Sequence, residues 1–132
     1  MQLQFIARHG ADNAYEISGE IVNGFDLSGF PNDAKFIPNE TTLAAGIVGV
    51  KRIDGELRVT LIQSGMPYEC EPTNGQHNWA ESDWIDAANY DPAQCYIVAT
   101  SAPEGAEYVK RDDGWTVVLP KPELEPEQEE AV

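Results

Sequence analysis

Basic residues are scarce in this sequence. Eight lysines and arginines stand against 23 aspartates and glutamates, a formal net charge of −15. A field of that sign repels nucleic acid and anionic membrane, so neither is an expected partner. Long apolar runs are missing as well. No stretch approaches the roughly 20 residues of a membrane-spanning helix. The N-terminus shows no basic segment followed by an apolar one, which makes a cytoplasmic protein the expectation. Cysteine is limited to Cys70 and Cys95. Their spacing is not Cys-x-x-Cys, and no second pair completes a zinc site. Two reduced, partly buried thiols are expected, with a disulfide left open. Also missing are a phosphate-cradling glycine loop, a nucleophile elbow and a Ser/His/Asp arrangement. No catalytic residue, metal or cofactor is therefore expected, and the chain reads as a non-enzyme.

What is present is an ordinary apolar fraction of 42% over 132 residues. That suits one domain with a single core. The segment PKPELEPEQEEAV stands apart. Its prolines cannot enter a ladder or a helix interior, and its five glutamates repel one another. Residues 120–132 are expected as a disordered acidic tail, and residues 1–119 as a β-rich globular domain. The tail carries five acids and one base, so −11 of the −15 stays on residues 1–119.

The body reads as hairpins. In IVGVKRIDGELRVTLI, Asp54-Gly55 suits the positive φ of a two-residue turn. Pairing outward sets Ile53 opposite Glu56, Arg52 opposite Leu57, Lys51 opposite Arg58, Val50 opposite Val59 and Val48 opposite Leu61. Alternation then puts Val48, Val50, Leu57, Val59 and Leu61 on a core face, and Lys51, Arg58, Gly49 and Thr60 on the other. YVKRDDGWTVVL is a second hairpin. A three-residue loop Asp112-Asp113-Gly114 aligns Val109 with Val117, whereas a two-residue loop Asp113-Gly114 shifts that register. ISGEIVNGFDL turns at Asn23-Gly24. QLQFIAR and CYIVAT supply two further strands. Helix is confined to NETTLAAG, with Asn39 as N-cap and Gly46 as stop, and SDWIDAAN, with Ser82 capping. The expected fold class is mainly β: a single small sandwich, roll or barrel built from antiparallel hairpins, with one or two short helices.

Arg8-His9-Gly10 at the end of the first strand resembles the start of the histidine phosphatases. That resemblance implies a small phosphohydrolase with His9 as phosphoryl acceptor, helped by a second histidine and further arginines. The only other histidine, His77, follows no strand and Gly-rich turn, and alternating helices are absent. The tripeptide is therefore read as the end of strand 1 and a turn.

HNWAESDWIDAANYD is the densest polar-aromatic segment. His77, Glu81, Asp83, Asp86 and Asp91 match neither zinc nor calcium spacing. Trp79, Trp84 and Tyr90 read either as core or as a contact patch, rimmed by Glu81, Asp83 and Asp86. Lys51, Arg52 and Arg58 gather three of the few cations on one hairpin. They read as a solvated face offset by Asp54 and Glu56, or as a docking point for an acidic neighbour.

The run AESDWIDAANYDPAQCYIV, with the acidic β frame and charged tail, resembles small proteins encoded in phage and prophage genomes beside tail-assembly genes. The resemblance implies a structural or assembly role, including incorporation into a virion, and carries over no catalytic residue. The leading expectation is thus an interaction or assembly protein whose partner is a protein, either a basic surface or another copy. An acidic inhibitor or DNA mimic that occupies a basic groove is the alternative.

Overall fold

The structure, a computed structural model, describes residues 1–8, 14–70 and 78–119. Its centre is the hairpin of β5 (Ile47–Ile53) and β6 (Glu56–Ser64). Asp54 at φ 51° and Gly55 at φ 84° give the doubly positive turn that matches strand twist. The expected pairs hold from Ile53–Glu56 through Gly49–Thr60, and then Ile47, not Val48, faces Leu61. Val48 is the extra residue of a bulge. The core position assigned to it belongs to Ile47, which is fully buried, while Val48 is half-buried.

β1 (Gln2–Arg8) adds to β6 in parallel, with Leu3 beside Val59 and Phe5 beside Leu61. All four side chains are fully buried, so the alternating apolar residues of two distant segments fix this register. The pairing departs from a purely antiparallel sheet. Parallel neighbours need a long crossover, and here the chain between them carries the other small elements. Three two-residue strands form a meander: β2 (Ile17–Ser18), β3 (Ile21–Val22) and β4 (Phe25–Asp26). Its second turn is the expected Asn23-Gly24, with φ 48° and 85°. Next comes α1 (Glu40–Ala44), where Asn39 Oδ1 accepts from Thr42 N and Thr42 Oγ1 accepts from Asn39 N. Gly46, at φ 85°, ends it.

Past β6 the chain leaves the main sheet. Met66 N and Glu69 N donate to Trp115 O and Val117 O, which brings in the hairpin of β10 (Glu107–Arg111) and β11 (Gly114–Val118). Here both expected registers are corrected. The loop is Asp112-Asp113, Arg111 pairs with Gly114, and Tyr108, not Val109, faces Val117. Gly114 serves packing and not the turn. A Cβ there would stand 2.5 Å from Ser64 Oγ, and that hydroxyl donates to Asp113 O at 2.7 Å.

Two further expectations are corrected. SDWIDAAN is not a helix capped by Ser82. Ile85–Asp86 forms β8 on the free edge of β1, and only Ala87–Asn89 makes a 3-10 turn, capped by Asp86. The sheet edge offers this segment backbone bonds from Ser82 N to Phe5 O and from Ala87 N to Met1 O, and these outcompete a short helix. In CYIVAT only Val98–Ala99 is strand (β9), paired with Trp79–Ala80 (β7). Tyr96 N and Ile97 N donate instead to Gln63 Oε1, at 2.7 and 3.2 Å. A side-chain amide there takes the place of a partner strand.

The fold is mainly β: a four-stranded sheet ordered β5-β6-β1-β8 and several small antiparallel sheets, with no closed barrel among the described residues. One face of the main sheet carries the core, centred on Leu3, Phe5, Val59 and Leu61 under Tyr15, Val22 and Ile97. Cys70 and Cys95 are free thiols. His9, His77 and the acidic tail at 120–132 lie outside the described residues.

Candidate interaction surface

The opposite face of the main sheet is polar at its centre. Strand alternation places Gln2 and Gln4 of β1, Arg58 and Thr60 of β6, and Lys51 of β5 on its middle, with Ile53 and Glu56 toward the turn and Ile6 and Ile62 at the other end. The segment before β8 is pinned to β1 at one residue. Ser82 N donates to Phe5 O, Phe5 N donates to Ser82 Oγ at 2.9 Å, and Gln4 Nε2 donates to Ser82 O at 3.3 Å. Ile85 then pairs with Leu3 and enters the core. Its predecessor Trp84 must point the other way, onto the outer face.

There the Trp84 ring lies 5.5 Å from Lys51 Nζ and 5.8 Å from the Arg58 guanidinium carbon. Lys51 and Arg58 face each other across the hairpin, a like-charge pair that is unfavourable alone. The negative face of the indole offsets part of that repulsion. Neither cation forms an ion pair with a described residue, and Arg58 Nε is buried without a hydrogen-bond partner. Glu56 and Asp86 share this face by register, yet neither forms an ion pair with Lys51 or Arg58.

Arg52, grouped with them by sequence, is on the core face opposite Leu57. It donates to Glu20 Oε1 at 2.9 Å, Gly55 O at 2.8 Å and Phe30 O at 2.5 Å, and more weakly to Leu27 O and Ser28 O. It is a clamp that ties the meander to the hairpin. Its charge is offset by Glu20, not by Asp54 or Glu56. The same contact holds the Glu20 carboxyl below its ordinary range.

The six candidate contact residues are not brought onto one surface. Trp79 is half-buried between the two core clusters, edge-on to Tyr68 and Tyr108, and its Nε1 donates to Met66 O at 3.1 Å. Tyr90 stacks on Phe5 at 5.6 Å, and its hydroxyl accepts from Tyr15 N. Trp84 alone of the three aromatics faces outward. Glu81, Asp83 and Asp86 are exposed near it in the chain, and Asp86 accepts from Ala88 N as the cap of the 3-10 turn. The sequence singled out the tryptophan and the two cations separately. Their meeting depends on β8 joining β1, for which the chain carries no local signal.

Elsewhere, a cleft of about 370 Å³ is lined by Cys95, Tyr96, Ile97, Val98, Tyr108 and Trp115. Burial pushes the Cys95 thiol up to about 12, so it is a poor nucleophile. No three histidine, cysteine or carboxylate side chains converge to hold a metal among the described residues, and none of their helices is long and apolar enough to cross a membrane. No protein-family model, curated protein or solved structure matches the chain.

Proposed function

We propose that this protein is a non-enzymatic interaction component that binds a protein partner through the outer face of the four-stranded sheet, around Trp84. The observation that supports this is the half-exposed indole held by two cations that form no ion pair with a described residue. Tryptophan and arginine dominate binding hot spots because they combine large contact area with directional polar groups. The reading is compatible with an assembly role.

Site-specific photo-cross-linking tests it in the cells that make the protein. Benzoylphenylalanine replacing Gln2 or Thr60, beside Trp84 on that face, should give a discrete adduct with one protein, which Trp84→Ala weakens. The same probe at Leu43, exposed on α1, should give none. Equal labelling from all three positions, or none from Gln2 and Thr60, refutes the reading.

A further inference from the structure

The cleft beside Cys95 shares no residue with the Trp84 contacts. Residues 93–98 form one wall, and Tyr108 and Trp115 form the other. Tyr108 pairs with Val117 and Lys110 with Trp115, so the Tyr108 and Trp115 rings share one face of the β10–β11 hairpin as diagonal neighbours. The volume of about 370 Å³ falls within the usual span of small-molecule sites, roughly 300–1,000 Å³. Two hydrogen-bond donors are left over on that face. Trp115 is only 7% exposed. Its indole N–H has no acceptor among the described residues, yet it is not sealed in the core. A largely buried ring normally finds a partner for that group, as Trp79 does with Met66 O at 3.1 Å. The Tyr108 hydroxyl accepts from Ala99 N at 3.0 Å, and its own proton has no acceptor among the described residues. We infer that this cleft binds a small neutral molecule of two fused rings with one carbonyl, whose oxygen accepts from Trp115 Nε1.

Each part of that chemistry has a source in the cleft. Donors without acceptors select a ligand that accepts. Tyr96, Ile97, Val98 and the two facing rings offer apolar and aromatic surface, which suits a flat ring system. An apolar cavity of about 150 Å³ already holds benzene, so this larger space takes a second ring. No lining residue is charged, and the net charge of −15 opposes an anion. Lys110, opposite Trp115 on the hairpin, does not line the cleft and is already engaged. Cys95 adds apolar wall. Burial holds its thiol protonated, so the occupant binds reversibly and forms no thioether.

The test is a titration of full-length ¹⁵N-labelled protein, followed at the indole N–H of Trp115 and the amides of Ile97, Val98 and Tyr108. The probe is 1-indanone, taken to about 5 mM, the range suited to so small a ligand. The control is 1-aminoindane, which keeps the rings and replaces the acceptor by an ammonium donor. Indanone should shift all four signals saturably and carry the Trp115 indole proton downfield. Aminoindane should bind at least about tenfold more weakly, although the protein's net charge attracts it, because it leaves the indole N–H unpaired. Val98→Trp, at an exposed position on the cleft wall, should fill the cleft and abolish the indanone response. Trp84→Ala should leave that response unchanged. No saturable shift at Trp115, or indanone binding that survives Val98→Trp or is lost with Trp84→Ala, overturns the proposal. Equal binding of the two compounds also overturns it, and would mark the cleft as a slot for any apolar group, such as a partner protein's side chain.

Discussion

Replacing Arg52 by alanine should be the most informative single perturbation of the fold. Its side chain is 12% exposed and its guanidinium reaches three separate stretches of chain. Three contacts are short: Phe30 O at 2.5 Å, Gly55 O at 2.8 Å and Glu20 Oε1 at 2.9 Å. The contacts to Leu27 O, Ser28 O and Glu20 Oε2 run from 3.2 to 3.4 Å and add little. A hydrogen bond to a charged group is worth roughly 1.5–3 kcal/mol net. Bonds that share one donor group are not additive, and water can reach some of the carbonyls released, so about 3 kcal/mol is the expected loss. For a chain of this length that corresponds to a fall in Tm of about 12 °C. Thermal and urea unfolding measure it directly. Amide exchange should also quicken across residues 20–30 while the β1–β6 ladder stays protected. Arg52→Lys should recover only a minor part, because one ammonium cannot span the same acceptors. A fall below about 4 °C, or unchanged exchange across 20–30, would refute the clamp.

Gly114→Ala should cost several kcal/mol, on the order of a buried steric clash plus backbone strain. Its new Cβ would lie 2.7 Å from Ser64 O at a φ of 142°, and a wild-type unfolding midpoint would contradict the packing. Val59→Asp should unfold the domain or cost several kcal/mol by burying an unpaired carboxylate, whereas Thr60→Asp, on the half-exposed outer face, should be mild. Equal sensitivity at the two sites would contradict the register. Glu20 is depressed chiefly by its hydrogen bond to Arg52, and Asp26 by those from the Ser28 hydroxyl and N–H. Their stabilisation is complete above the ordinary carboxylate range and lost as pH falls through the lower folded values. Between about pH 5 and pH 3 the wild type should lose more stability than Glu20→Gln, and parallel profiles would contradict the sign. With its thiol at about 12, Cys95 should react with iodoacetamide about a thousandfold more slowly in the folded protein than in urea at pH 8. Equal rates, read by peptide mass spectrometry, would remove the burial argument.

Local chemistry decided much of this protein. Asp54-Gly55 and Asn23-Gly24 carry positive φ at no great cost, so both turns are legible in the sequence, and with the first goes the register from Ile53 to Gly49. Asn39 as cap and Gly46 as stop mark the α-helix at Glu40–Ala44 in the same way. QLQFIAR alternates buried and half-buried residues, and it is a strand with those bounds. What the sequence left open depends on groups far apart along the chain. The parallel union of β1 with β6 and the β8 edge join segments more than fifty residues apart, and no local pattern names such partners. Gly114 resembles a turn glycine until Ser64 is seen against it. Gln63 resembles a surface residue until its amide meets Tyr96 and Ile97. The bulge at Val48 shifts one residue past a pattern that alternation would have continued. The candidate surface divides along the same line. Strand alternation put Lys51 and Arg58 on the outer face from the sequence alone, but only the docking of β8 on β1 laid Trp84 across them. The hydrophobic effect selects which residues are buried without regard to sequence separation, so the neighbours of an exposed ring are set by the packing of the whole core beneath it.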